Sequence, residues 1–185
     1  MTEPTTSLTL IGRATAGDDD AWRRLVTIYG PLIYQWARRI GLQPNDASDA
    51  MQDTLASVWS AMPRFDAATT GATFRGWLLT ILRRRIADAA RRRPDERPAG
   101  SVVEQQSASD PQSPTDRSGV LHRAVLQYRQ DFGDAVWRAF WETAVAGRDA
   151  ADVASELGVT RWAVYKSRSR VLQRLKTELA DEFDA

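Results

Sequence analysis

Residues 149–176 read DAADVASELGVTRWAVYKSRSRVLQRLK, and their spacing decides the fold of the C-terminal part of the chain. Asp149 is placed to cap a short helix running to Leu157, because a carboxylate there accepts the free N–H groups of a first turn. Ala154 is small where a following helix would cross closely. Gly158 supplies the turn, since glycine enters the left-handed region of φ without steric cost. Thr160 can cap a second helix over about 161–180, with Val164, Val171, Leu175 and Leu179 inward. Val153, Leu157, Val159 and Val164 are predicted to fill the space between the two helices. Such a pair joined by a glycine turn is a helix-turn-helix.

The charge on this pair is uneven. Residues 149–159 carry three acids and no base, whereas residues 160–177 carry six basic residues and no acid. The outer face of the second helix offers Arg161, Trp162, Tyr165, Lys166, Arg168, Ser169 and Arg170. A helix of this kind fits the major groove of DNA, with its N-terminal side chains at base edges. The bland alternative is a helical hairpin with a solvated basic face, and charge alone does not separate the two. The turn, the small residue at the crossing and the acid-free helix together favour DNA.

Working outward, Val136, Trp137, Phe140, Trp141, Ala144 and Val145 form an apolar stripe at helical spacing that ends near Gly147. Residues 94–119, PDERPAGSVVEQQSASDPQSPTDRSG, hold four of the eight prolines and few apolar residues, which is linker composition. They divide the chain into an N-terminal domain, 1–93, and a C-terminal domain, 120–185. In the first, Trp22, Leu25, Val26, Tyr29, Leu32, Ile33, Trp36 and Ile40 recur at three- and four-residue steps after the capping acids Asp18 to Asp20. Gly30-Pro31 is expected to kink this helix rather than end it, because the apolar phase continues past it. Pro44-Asn45-Asp46 opens a second helix, with Ala47, Met51, Leu55, Val58, Trp59 and Met62 inward and Asp49, Gln52 and Asp53 on another face. Residues 64–73 read as a loop. A third helix runs from Phe74 to about Arg93, and residues 63–93 carry eight arginines against two acids. The fold expected is all-α, in two small helical domains.

The same composition narrows the function classes. The 185 residues include no cysteine and one histidine, His122, so a thiolate metal site is excluded and a serine–histidine pair would rest on one residue. No Gly-rich phosphate loop is present. The expectation is a protein that is not an enzyme and has no cofactor, no metal and no small-molecule substrate. No signal peptide and no apolar span of membrane length is read, and a cytoplasmic location follows as the expectation. Two separated basic blocks in a chain of net charge +1 suggest two contacts with a polyanion.

Two further stretches, with the helix-turn-helix, carry a family resemblance. Residues 44–59, PNDASDAMQDTLASVW, resemble the core helix of bacterial sigma factors, whose pattern runs Asp-Ala-x-Asp-x-x-Gln-Glu-x-Phe-x-x-x-Trp. Here it stands as Asp46, Ala47, Asp49, Gln52, Asp53, Leu55 and Trp59. Residues 74–92, FRGWLLTILRRRIADAARR, are similar to the segment that melts promoters and reads the −10 element. The helix-turn-helix resembles the domain that reads the −35 element. The order of the three motifs, and two domains with a loose connection, resemble the extracytoplasmic-function group of the sigma-70 family. Asp53 and Leu55 replace the pattern's Glu and Phe, Arg84 stands where many members have Asn, and Trp162 stands where a small residue is common.

The resemblance implies a promoter-recognition factor that works with core RNA polymerase, contacting its clamp and its flap, and with promoter DNA. Anti-sigma factors are further candidate partners. On the clamp, a basic helical hairpin, Asp49, Gln52 and Asp53 would supply the complementary face. Phe65, Arg75, Trp77, Arg83, Arg84 and Arg85 would serve the −10 element, with Phe65, Phe74 and Trp77 as stacking platforms and the arginines, Arg91 to Arg93 included, at phosphates. Packing in the core is an equal reading for Phe74 and Trp77. Arg161, Trp162, Tyr165 and Lys166 would read −35 bases, with Arg168 and Arg170 at phosphates. The rival readings are a self-sufficient helix-turn-helix regulator and an adaptor that binds polymerase but not DNA.

Overall fold

The computed structural model describes residues 9–65, 73–92 and 113–180. Every regular element among them is helical. The helices are α1 (Leu10–Thr15), α2 (Asp19–Arg39), α3 (Pro44–Ala61), α4 (Phe74–Arg92), α5 (Pro114–Tyr128), α6 (Asp134–Phe140), α7 (Ala150–Leu157) and α8 (Arg161–Glu178). A 3₁₀ turn, Met62–Arg64, follows α3, another, Arg129–Asp131, follows α5, and a π turn, Trp141–Val145, extends α6.

Their ends follow from capping chemistry. The Asp18 carboxylate accepts from the N–H groups of Asp20 and Ala21 and so starts α2. That helix runs unbroken through Pro31, because the buried stripe Leu25, Ile28, Tyr29, Leu32, Ile33 and Trp36 holds both halves of it. Asp149 accepts from Ala151 N, and Thr160 Oγ1 accepts from Ala163 N. Gly158 closes α7 at φ 66°, donating to the carbonyls of Ala154 and Ser155. Nothing lies within 4 Å of the place a Cβ would take there, so only the backbone conformation disfavours a side chain. Gly158→Ala should therefore cost about 1 kcal/mol, by the left-handed penalty alone. Urea denaturation would read it as a lower midpoint at unchanged slope, and an unaltered midpoint would remove the requirement for glycine at the turn.

The N-terminal domain packs α3 and α4 on α2, with Ala47, Val58, Met62, Phe74, Leu78 and Leu82 buried against the α2 stripe. The C-terminal domain packs α6 and α7 on α8, through Val153, Ala154, Val164, Val171 and Leu175. The two domains also meet. Helix α5 lies along α2, and one buried cluster runs from Leu10 through Trp36 to Val120, Tyr128 and Leu179.

This contact revises the expected linker. Residues 93–112 lie outside the described residues, but 114–119 form the first turns of α5. Ser113-Pro114-Thr115-Asp116 is a helix start, with proline at the first helical position and an acid in the first turn, inside a stretch whose overall composition reads as loop. Among the larger apolar residues, three positions also differ. Trp59 is 43% exposed and leans on Trp22, ring centres 4.9 Å apart, because α3 turns it past the seam with α2. Val145 sits on the π turn and Val159 in the turn after Gly158, and both are exposed. Helix α1, capped by Thr9, is an element the sequence reading did not contain.

Polar groups bind the two domains across this contact. Asp116, 3% exposed, takes both nitrogens of Arg39 at 2.9 Å and the indole N–H of Trp36 at 2.8 Å. Burial pushes its carboxyl up, but the hydrogen bonds from Arg39 and Trp36 outweigh this and hold it below the usual carboxylate value. Arg24 makes a two-pronged bond to Asp131, and Arg123 Nε donates to the Ile28 carbonyl at 2.6 Å. Glu178, buried at the end of α8, meets Arg13 at 3.3 Å and Arg174 at 2.8 Å and accepts from the Tyr128 hydroxyl.

Candidate nucleic-acid and polymerase interface

The groove-facing helix is built from its core outward. Val164, Val171 and Leu175 face inward at steps of seven and four, which fixes the rotation of α8. That rotation leaves all seven expected residues, Arg161, Trp162, Tyr165, Lys166, Arg168, Ser169 and Arg170, exposed on one helix. Trp162 is 68% exposed and Tyr165 47%. Lys166 Nζ sits 4.9 Å from the centre of the Trp162 ring, and Arg161 reaches the Tyr165 hydroxyl at 3.4 Å. These pairs order two long cations over the first turns of the helix, where base edges would be met. No acid stands on α8 before Glu178, so the charged side chains that the helix itself brings to this face are all positive.

The second basic block divides. Arg84 and Arg85 are exposed on α4 and Arg83 is half-buried. Phe65, Phe74 and Trp77 form one aromatic cluster, with centroid separations of 4.6 Å for Phe65–Trp77 and 5.4 Å for Phe65–Phe74. Phe74 also meets Tyr29 edge-on and is buried, so it belongs to the core, while Phe65 and Trp77 keep part of their faces open. Residues 66–72 of the expected loop lie outside the described residues, as does Arg93. Arg75 is the departure: it is 1% exposed, so it does not present its charge to a strand here. Its charge instead helps keep the Asp116 carboxylate ionised across the domain contact. Position within a basic motif could not distinguish an inward arginine from an outward one.

Asp49, Gln52 and Asp53 are exposed together on α3. Beside them, along the seam of α2 and α3, runs an apolar groove lined by Val26, Gly30, Tyr34, Met51 and Leu55. The Trp22–Trp59 pair lies one helical turn further along both helices. An acidic stripe next to an apolar groove suits a partner helix with one basic and one apolar edge.

The chain is similar to several known proteins. Residues 25–94 match Sigma-70 region 2, which takes in α3, the aromatic cluster and α4. The RNA polymerase sigma factor NccH of Alcaligenes xylosoxydans xylosoxydans is 36% identical over 91 residues, 49% of this chain and 47% of that protein. The ECF RNA polymerase sigma factor SigD of Mycobacterium tuberculosis is 27% identical over 184 residues, 92% of this chain and 82% of that one. Against NccH, and CnrH of Cupriavidus metallidurans, the match spans less than half of the relative's length. Among solved structures, CnrH in complex with the cytosolic domain of CnrY is 23% identical, covering 92% of this chain and 95% of that one at a TM-score of 0.39. The chain thus carries a stretch similar to Sigma-70 region 2 and is similar, over 92% of its length, to a sigma factor of the extracytoplasmic-function group.

Proposed function

We propose that this chain is an alternative sigma factor that binds core RNA polymerase, directs it to a class of promoters and helps to open them. The observation that carries the reading is the pairing of two unlike surfaces on one chain. A reading helix whose outer face is exposed, with no acid before Glu178, stands in the C-terminal domain, and an acidic, groove-flanked docking face stands in the N-terminal domain. A self-sufficient regulator needs only the first. In this reading Asp49, Gln52, Asp53 and the α2–α3 groove take the polymerase clamp, and the C-terminal domain lies towards the flap. Arg161, Trp162, Tyr165 and Lys166 read the −35 element in duplex form, with Arg168, Ser169 and Arg170 holding its backbone. Phe65 and Trp77 stack unpaired −10 bases, which suits aromatic faces at roughly 1–3 kcal/mol per base, while Arg83, Arg84 and Arg85 neutralise phosphates. The site of action is the cytoplasm, on the nucleoid during initiation, and an anti-sigma protein is a further candidate partner.

Run-off transcription tests the reading. Core polymerase with the chain should start at a small set of defined positions on genomic fragments, and core alone should not. Tight, specific binding of the chain to DNA, with no transcript in the presence of core, would instead support the regulator.

A further inference from the structure

The indole of Trp162 has no place inside the fold. The helical period sets Trp162, Lys166, Ser169 and Gln173 along the line of α8 directly opposite its inward residues, Val164, Val171 and Leu175. At 68% exposure Trp162 is the most exposed large apolar residue among the described residues. It is the second residue of α8, in the turn that Thr160 caps. Lys166 Nζ stands over its ring, 4.9 Å from the centre, and the rest of the indole stays largely in water.

A helix that only neutralised phosphates would need cations at this place, not an indole. An apolar protein pocket suits the surroundings poorly, because Arg161 and Lys166 are exposed beside the ring and the buried centre of a protein interface is depleted of charge. Stacking on unpaired bases asks for opened strands, whereas a helix presented by a tight turn enters a closed groove. In that groove the apolar group which base pairs present is the C5-methyl of thymine, next to its O4 acceptor. An indole edge can pack on the methyl and exclude water from it. The indole also has one donor and no acceptor, so it cannot pair with the amino groups of cytosine or adenine. Tyr165 is less suited, since its hydroxyl is tied to Arg161 at 3.4 Å and it lies to one side of the outward line.

We propose that Trp162 is a specificity-determining residue that selects thymine in the upstream duplex element by packing its indole on the 5-methyl group. This selection rests on the sigma-factor reading only in so far as α8 must meet duplex DNA.

Suitable probes are duplexes selected from a random pool by the full chain, with core polymerase and, in parallel, without it. The enriched sequences should share a thymine, and those enriched by Trp162→Ala should be indifferent at that position. Replacing the thymine by uracil removes only the methyl group and should weaken binding of the parent about fourfold, the worth of one buried methyl group. The same replacement should leave the affinity of Trp162→Ala unaltered. A 5-methylcytosine should recover part of the affinity that cytosine loses there. Trp162→Ala removes an exposed side chain and adds a good helix former, so circular dichroism should match the parent. Parent binding insensitive to uracil at every selected thymine, or an equal uracil penalty in Trp162→Ala, would overturn the assignment, while defined starts with core would leave the sigma-factor reading intact. Duplexes enriched without core that carry the uracil penalty in the parent alone, with no transcript when core is added, would keep the assignment and remove the sigma-factor reading. A chain that enriches no duplex under either condition would overturn both.

Discussion

Reversing Asp49 and Asp53 together to Arg is expected to abolish binding to core polymerase while leaving the helices intact. Both carboxylates are exposed on α3, and the inward side of that helix, Ala47, Thr54 and Val58, is untouched by the change. Asp46 remains in the first turn to favour the helix dipole. The fold therefore has little to lose, and circular dichroism and the thermal midpoint should match the parent. The interface has much to lose. Two attractive contacts with a basic surface become two like-charge contacts, each costing several kcal/mol at close range, so affinity should fall on the order of a hundredfold or more. Fluorescence anisotropy, with a dye on an introduced cysteine at Ser155, reads this directly. Affinity near the parent's would place the docking surface elsewhere.

The parts of this molecule that were legible in its sequence are those in which one local rule decides. Asp149, Gly158 and Thr160 each act through their own backbone neighbourhood, and the helix-turn-helix formed where they stand. The inward residues of α2 and α8 were legible because a 3.6-residue period leaves one choice of face. What escaped was whatever depends on a distant partner. Asp116 reads as one more polar residue in a Pro- and Ser-rich run, and nothing local indicates that Trp36 and Arg39 close over it. Arg75 belongs to a basic motif whose sequence gives its charge but not its direction. Trp59 shows the limit of periodicity at the edge of a stripe, where a small rotation of α3 separates a core residue from a surface one. The start of α5 is a different case: its proline and acid are local signals, outweighed in the reading by the composition around them.

The two ends of the basic face on α8 should fail in different ways when truncated. Arg161 is the first residue of the helix, next to the cap and exposed, and the first turn is the part that approaches base edges in a groove. Its guanidinium, steadied by Tyr165, can make two parallel bonds to a guanine edge. Arg161→Ala should therefore relax the preference at one −35 position by roughly 1–3 kcal/mol and leave other positions as they were. Arg168 lies two turns on, where a helix entering a groove by its N-terminal turn would leave the groove floor and meet the backbone. A backbone contact carries no sequence information, so Arg168→Ala should weaken every −35 sequence alike and lower the salt slope by about one. Affinities for a panel of single-base variants at several salt concentrations separate the two, because one variant alters the ranking and the other alters the slope. If Arg161→Ala shifted all sequences equally, the first turn of α8 would be a phosphate clamp. Specificity would then have to come from the more unusual residues beside it, Trp162 and Tyr165, whose exposed rings can pack on a thymine methyl group but cannot replace a two-pronged hydrogen bond.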